Sequence, residues 1–201
     1  MPIAVLVSGS GTNLEALLDA AADPGFGAAV AVVISDRPGV KAIDRAEDAG
    51  VPAVVVDWSE FADRESFTVA VCDTAERHGA VALVLAGFMR VLAPVAIHRF
   101  PHRILNIHPS LLPSFPGSRA VEDALAHGVK LTGVTIHFVD EQVDHGPIIA
   151  QRAVEVVEGD TPDTLHTRIQ TEEHRLYPEV VSAFARQSLR LEGRRVVWER
   201  A

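Results

Sequence analysis

Short apolar runs alternate with helical patterns along the first half of the chain, and this alternation constrains the fold more than any other feature. Residues 3–8 are a continuous apolar run of the kind found in strands buried on both faces of a parallel sheet. Residues 12–22 then have a helical pattern, with Thr12 and Glu15 spaced as a capping box. Further strands are predicted at 28–35, 53–56, 81–86 and 104–108, and further helices at 40–49, 63–78, 94–99 and 118–127. The sequence therefore predicts an α/β fold with a Rossmann-like, mostly parallel sheet flanked by helices.

The pattern changes in the second half of the chain. Two β-rich runs, 132–139 and 148–156, flank a polar loop and predict an antiparallel extension of the sheet. A long helix is predicted over 161–185, with Thr161 at its opening and Pro162 at the first helical position. A small strand pair at 189–191 and 195–197 should follow. We expect a single domain over residues 1–201, with a phosphate-binding half at 1–100 and a catalytic and folate-binding half at 101–201.

Charge and cysteine content exclude several classes of function. The net charge of −9 argues against broad binding of nucleic acid or of an anionic membrane, because both need basic residues to neutralise phosphates. Cys72 is the only cysteine, so an intramolecular disulfide is excluded, and its apolar surroundings predict a core residue. No apolar run approaches the roughly 20 residues of a membrane span, and residues 1–8 lack the pattern of a signal peptide. We expect a cytoplasmic protein, and the sequence leaves its oligomeric state open, a homodimer included.

A metal centre is not predicted, although the chain has nine histidines. His98 and His102 are four residues apart, but Pro101 should end any helix that carried both. No H-E-x-x-H motif occurs.

A glycine-rich turn, SGSGTNL at 8–14, joins the first predicted strand to the first helix. Glycines allow a tight turn there, and a helix N-terminus presents N–H groups that bind a phosphate. Leu14 occupies the third glycine position of a dinucleotide fingerprint, and no Gly-Lys-Ser/Thr follows as in a P-loop. Phosphate binding and a purely structural turn both fit this loop.

The segment 105–113, LNIHPSLLP, places polar side chains at the end of a predicted strand. Asn106 and His108 lie two residues apart and so point to the same side of that strand. An amide and an imidazole together stabilise an oxyanion and move a proton. A structural histidine is the alternative, but two polar side chains buried on one face are costly without a purpose. Asp144, in the loop at 140–147, is a carboxylate that would orient His108, although the acidic loop also fits a solvated turn.

Several segments in order, namely SGSGTNL, LAGFMRVL (85–92), LNIHPSLLP, HFVDEQVDHGPIIAQ (137–151) and IQTEEHRLYP (169–178), resemble the folate-dependent formyltransferases. The first and last of them are most similar to the glycinamide ribonucleotide formyltransferases, and the resemblance runs from residue 3 to about residue 185. It implies the formyltransferase fold and transfer of a formyl group from 10-formyltetrahydrofolate to the amine of glycinamide ribonucleotide in purine biosynthesis. It implies neither a metal nor a covalent intermediate.

The resemblance also implies roles for individual residues. The catalytic residues would be Asn106, His108 and Asp144. The ribonucleotide phosphate would bind at Gly11, Thr12 and Asn13, and its ribose at Gln170 and Glu173. The folate would contact Arg64, Met89, Arg90, Val91, Leu92, Asn106, Asp140, Glu141, Gln142, Val143 and Asp144.

The chain departs from the family pattern at two positions. Arg119 stands where a histidine usually lines the cleft, and Ser114 stands where a basic residue is common. Since an arginine does not exchange a proton near pH 7, Arg119 would act by charge alone or not at all.

Four other functions are alternatives to formyl transfer to glycinamide ribonucleotide. A methionyl-tRNA formyltransferase would need a further C-terminal domain and a basic surface. A formyltetrahydrofolate deformylase would normally carry an N-terminal regulatory domain. A noncatalytic nucleotide-binding module would leave Asn106, His108 and Asp144 without a role, and an NAD-linked oxidoreductase would use Asp36 to bind a ribose.

Overall fold

The computed structural model describes residues 1–199 and divides into two compact units, residues 1–105 and residues from 106 onward. In this described part of the chain, no helix combines the length and the apolar content needed to cross a bilayer.

Four parallel strands form the centre of the first unit. They are β1 (Pro2–Val7), β2 (Ala29–Ser35), β3 (Ala53–Val55) and β4 (Leu83–Leu85), in the spatial order β3-β2-β1-β4. The helices of this unit are α1 (Thr12–Ala21), α2 (Lys41–Asp48), α3 (Arg64–Arg77) and α4 (Pro94–Arg99). Every residue of β1 after Pro2 is fully buried, which explains its uninterrupted apolar sequence.

The second unit contains the antiparallel part of the sheet. The strand β5 (Ile104–His108) begins two residues before this unit and ends in it. The other elements of the unit are α5 (Ala120–His127), β6 (Leu131–Phe138), β7 (Ile148–Glu155), α6 (Pro162–Ala185), β8 (Leu189–Glu192) and β9 (Arg195–Trp198). β6 pairs with β7, and β8 pairs with β9, both antiparallel. The directions of these strand pairs confirm the predicted fold class, a mostly parallel sheet flanked by helices with an antiparallel C-terminal extension.

The pairing of β6 with β7 contains a β-bulge. Ile136 is opposite Ala150 and His137 is opposite Ile148, so Ile149 has no counterpart on β6. Such a bulge changes the direction of the chain as it enters the loop at 140–147.

Side chains cap two of the helices, and a glycine begins a third. Thr161 caps α6 by accepting a hydrogen bond from the N–H of Thr164, and Asp63 caps α3. The capping box predicted at Thr12 and Glu15 is wrong, because Gly11 is the cap residue of α1 and Thr12 is already helical. Gly11 has a left-handed φ of 72°, so the tight turn decides where the helix begins. The sequence analysis also missed two short 3-10 turns, Pro24–Phe26 and Trp58–Glu60.

Candidate active site

Three side chains proposed from the sequence meet in the second unit. β5 carries Asn106 and His108 at its carboxyl end, and the loop between β6 and β7 carries Asp144. Asn106 Nδ2 lies 3.5 Å from Asp144 Oδ1, and His108 Nδ1 lies 3.4 Å from Asp144 Oδ2. The predicted geometry, an amide and an imidazole on one side of a strand facing a carboxylate from a later loop, is therefore present.

His108 is held at both ring nitrogens. Its Nε2–H donates to the carbonyl oxygen of Phe115 at 2.8 Å, while Nδ1 faces the Asp144 carboxylate. Both neighbours only accept hydrogen bonds, so a doubly protonated ring satisfies both contacts at once. The ring is 5% exposed, so water competes little for either contact.

Asn106 is oriented by a residue that the sequence analysis missed. The Asn106 amide donates to His137 Nε2 at 3.2 Å, and His137 Nδ1–H donates to the carbonyl oxygen of Phe138 at 2.8 Å. Burial lowers the pKa of His137, despite the opposing effects of the Phe138 carbonyl and of Asp144, so the ring stays neutral with Nε2 as an acceptor. A polar residue inside the apolar sequence of β6 was the available signal for His137.

The loop that carries Asp144 has an unusual backbone. Asp144 has a φ of 51°, in the left-handed region, and its Oδ2 accepts a hydrogen bond from the N–H of Gly117 at 2.7 Å. Its side chain is only 10% exposed. Gly146 packs so closely on β6 that a Cβ there would lie 1.8 Å from the carbonyl oxygen of Phe138. Asp144 is thus a partly buried carboxylate on a tightly packed loop, rather than part of a solvated acidic turn.

A buried hydrogen-bond network supports the segment that contacts His108. The Ser110 hydroxyl donates to the Ser114 carbonyl at 2.6 Å, and the Thr135 hydroxyl donates to the Ser110 carbonyl at 2.7 Å. Gln151 donates to the Leu112 carbonyl and to Thr135 Oγ1, at 2.9 Å each. These contacts fix the backbone that presents the Phe115 carbonyl to His108.

The two departures from the family pattern lie away from the three side chains. The Arg119 side chain is 74% exposed and its nearest ionic partner is Asp123, at 4.0 Å. Ser114 is exposed and contributes its backbone carbonyl to the network described above. Neither side chain contacts Asn106, His108 or Asp144.

In the first unit, the glycine-rich turn packs directly on α2. A Cβ at Gly11 would lie 2.7 Å from the Cβ of Ala42, and the N–H of Ala42 donates to the Gly9 carbonyl at 3.2 Å. Arg45 donates from Nε to the Ser10 carbonyl at 2.9 Å and forms an ion pair with Glu15. Thr12 and Asn13 follow as the first helical residues, so their backbone lies at the helix N-terminus.

The segment at 89–92 is anchored at the carboxyl ends of β1 and β2. The N–H of Met89 donates to Ser8 Oγ at 2.8 Å, and Arg90 Nε donates to Asp36 Oδ2 at 2.7 Å. Met89 and Val91 are nevertheless 63% and 46% exposed, while Leu92 is buried. The segment therefore combines a fixed backbone with apolar side chains that face solvent.

The Asp36 carboxylate is buried and ion-paired where it holds this segment. Its side chain has no exposed surface, and it forms ion pairs with both Arg90 and Arg37. Burial alone would raise the pKa of Asp36, but the two guanidinium groups and a serine hydroxyl together bring it below its usual value. An acidic residue with these partners does not suit the role of a ribose anchor in an NAD-linked enzyme.

The remaining residues implied by the resemblance occupy separate elements. Gln170 and Glu173 lie three residues apart on one face of α6, half-buried and buried respectively. Arg64 is the exposed first residue of α3. In the loop, Asp140 Oδ1 accepts a hydrogen bond from the N–H of Gln142 at 3.0 Å, Glu141 is exposed, and Val143 is 54% exposed.

The chain is similar to known proteins over nearly its whole length. The family model for formyl transferases matches residues 1–181. The phosphoribosylglycinamide formyltransferase of Mycobacterium tuberculosis is 44% identical over 192 residues, covering 96% of this chain and 88% of that protein. The trifunctional purine biosynthetic protein adenosine-3 of Bos taurus is 43% identical, but the chain covers 20% of it and so spans about a fifth of that longer relative.

A solved structure extends the similarity to the fold. The crystal structure of glycinamide ribonucleotide transformylase 1 from Symbiobacterium toebii has a TM-score of 0.97 and 48% identity, covering 100% of this chain and 94% of that one. The family model covers most of the chain, and the relatives are similar over nearly its whole length. The chain belongs to the formyl transferase family.

Proposed function

We propose that this protein transfers the formyl group of 10-formyltetrahydrofolate to the amine of glycinamide ribonucleotide. The observation that carries the proposal is the position of Asn106 and His108, both within 3.5 Å of the Asp144 carboxylate. Acyl transfer to an amine needs a donor for the oxyanion and a group that moves a proton, and these side chains supply both.

Asn106 and His108 would share the work at the reacting carbonyl. The Asn106 amide has two N–H groups, and the longer contact, 3.5 Å to Asp144, is the one that a substrate oxygen would replace. The shorter contact with His137 would keep the amide nitrogen pointed at that oxygen. The protonated His108 ring would donate to the same developing charge from Nδ1, in place of its longer contact, 3.4 Å to Asp144, while its 2.8 Å bond to the Phe115 carbonyl stays. It would then pass that proton to the leaving nitrogen of the folate and take up the proton that the attacking amine loses.

Asp144 would keep His108 available for this role. The carboxylate, 3.4 Å from Nδ1, would fix the plane of the ring. The N–H of Gly117 holds Asp144 Oδ2 in place, so the carboxylate does not need to reorganise during the reaction.

Each unit would carry binding residues of its own. In the first unit, the N-terminus of α1 at Gly11, Thr12 and Asn13 would bind the phosphate of the ribonucleotide. The exposed apolar side chains of Met89 and Val91 suit the flat rings of a folate, as does Val143 in the second unit. Gln170 and Glu173 on α6 would bind the ribose, and Arg64 would contact the folate.

The test is a turnover assay with both substrates, in which the absorbance change reports the formation of tetrahydrofolate. The His108→Ala variant should lose at least about 100-fold in kcat, the typical cost of removing one oxyanion donor. His166→Ala, at an exposed histidine of α6, is the matched control and should keep the kcat of the wild type. A His108→Ala variant with near-normal kcat would refute the mechanism.

The same assay separates the competing activities. A deformylase would release formate from 10-formyltetrahydrofolate without any ribonucleotide present. A noncatalytic nucleotide-binding module would release neither product. Formyl transfer requires that tetrahydrofolate appear only when glycinamide ribonucleotide is added.

A further inference from the structure

The C-terminal hairpin of β8 and β9 contacts the loop that carries Asp144. Arg194, in the turn of this hairpin, donates from Nη2 to the carbonyl oxygen of His145 at 2.6 Å, and its Nη1 lies 3.4 Å from His145 Nε2. On the other side of the same ring, His145 Nδ1 lies 2.7 Å from Asp140 Oδ2. A guanidinium, an imidazole and a carboxylate therefore form a continuous chain of polar contacts across the loop.

The hairpin itself is attached to the start of β7. Trp198 Nε1–H, on β9, donates to the carbonyl oxygen of Ile149 at 3.1 Å. Trp198 lies at the end of the hairpin away from the turn and Arg194 lies in the turn, so the hairpin is attached both to β7 and to the loop. Arg194 thus reaches the loop from a fixed base rather than from a free chain end.

The polar chain that starts at Arg194 falls on residues on both sides of Asp144. His145, which Arg194 contacts, follows Asp144 directly, and Asp140, which His145 contacts, precedes it. Asp144 has a φ of 51°, and a residue other than glycine keeps such a backbone only when its surroundings hold it. Gly146 holds one end of the loop against Phe138, but the tip has no comparable packing, since Glu141, Gln142 and Val143 are all exposed. The hydrogen bonds of the Gln142 N–H to Asp140 and of the Gly117 N–H to Asp144 lie within or beside the loop, and the polar chain from Arg194 to Asp140 is the contact that ties it to the hairpin.

We propose that Arg194 is a positioning residue for Asp144, which holds the loop at 140–147 in the conformation that brings the carboxylate to His108. The proposal rests on the proposed function in one respect, the catalytic role of Asp144. Arg194 itself touches none of the three side chains of the active site, and it acts only through the backbone and ring of His145.

The experiment compares Arg194→Met with Arg195→Met, a matched control at the next position of the same hairpin. In the part of the chain that the structure describes, Arg195 has no hydrogen bond or ion pair with another side chain, and its backbone stays in the ladder of β9. Amide hydrogen exchange of the loop at 140–147 and kcat are measured on each purified protein. In Arg194→Met, the amides of this loop alone should exchange several-fold faster, and kcat should fall about tenfold. Arg195→Met should change neither quantity.

Two further variants separate positioning from general stability. Arg194→Lys keeps one donor for the His145 carbonyl and should recover part of both losses. In an Asp144→Asn background, Arg194→Met should cause no further fall in kcat, because the group that it positions is already gone.

The outcomes distinguish failure of this proposal from failure of the proposed function. If the amides at 140–147 exchange at the wild-type rate in Arg194→Met, the contact of Arg194 does not restrain the loop. Faster exchange with normal kcat, in a protein that Asp144→Asn slows, overturns the positioning role. Normal kcat in Asp144→Asn refutes the catalytic assignment of Asp144, and with it the positioning role of Arg194.

Discussion

Gly11 lies where the glycine-rich turn meets α2, and the structure allows the cost of adding a single methyl group there to be worked out. A Cβ at Gly11 would lie 2.7 Å from the Cβ and 2.9 Å from the Cα of Ala42. The second of these is a backbone atom, so the contact is relieved only by moving α2. The left-handed φ of 72° adds a separate cost of roughly 1–2 kcal/mol for any residue with a side chain.

The two costs together set the expected loss. Overpacking of a close contact typically costs about 1–3 kcal/mol, so Gly11→Ala should lower the free energy of unfolding by roughly 2–5 kcal/mol. That is a large part of the roughly 5–15 kcal/mol that stabilises an ordinary domain. The measurement is urea unfolding followed by circular dichroism, with KM for glycinamide ribonucleotide as a second readout, because a displaced turn moves the helix N-terminus that should hold the phosphate.

Gly9→Ala is the matched control, because a Cβ at Gly9 would meet no atom within 4 Å. The clash with α2 is tested by adding Ala42→Gly, which removes the 2.7 Å contact but leaves the 2.9 Å contact with the Cα of residue 42. It should therefore recover only part of the overpacking cost of about 1–3 kcal/mol in the Gly11→Ala background, measured as the coupling energy of a double-mutant cycle. If Gly11→Ala and Gly9→Ala unfold at the same urea concentration, the reasoning from close packing and backbone conformation is wrong.

Two further predictions concern buried titratable groups. Burial lowers the pKa of His137, so between that value and about pH 6.5 the unfolded chain binds a proton that the folded chain does not, and stability falls as the pH decreases through this window. The free energy of unfolding, measured in urea at pH 7.5 and pH 5.5, should therefore change less between these pH values in His137→Gln than in the wild type. An equal change in both proteins would contradict the assignment of a neutral buried ring. Burial also raises the pKa of Cys72 to about 11, so the native thiol should not react with a thiol reagent at pH 8 and should react fully in urea. Fast labelling of the folded protein would show that Cys72 is accessible.

The fold could be predicted largely because each strand and helix has its own local signal. The apolar runs gave β5 and α4 with the bounds that the structure has, and the change of pattern after α5 indicated the antiparallel pair. The errors occurred where backbone conformation overrides side-chain pattern. At Gly11 the left-handed turn places the start of the helix, so the Thr12 and Glu15 spacing that resembles a capping box is not used as one.

The active site could be predicted only in part. Strand alternation was enough to put Asn106 and His108 on one side, but no local pattern could show that Asp144 reaches them from 36 residues beyond His108. The Phe115 carbonyl and the Gly117 N–H, which hold His108 and Asp144, are backbone groups and leave no signal in the residue type. His137 does leave a signal, but its contact with Asn106 depends on the neighbouring strand.

The unpaired residue on β7 restricts how the length of this region can vary among related sequences. Ile149 interrupts the pairing with β6, and its carbonyl oxygen is the acceptor for Trp198. Deleting one residue here would restore a regular ladder, but the strand residue that borders the loop would turn to the opposite face, since orientation along a strand alternates with a period of two. The loop that carries Asp144 would then join β7 from that face, and the hairpin would lose its acceptor. A single-residue deletion in this stretch should therefore survive evolution only together with a compensating insertion before residue 148.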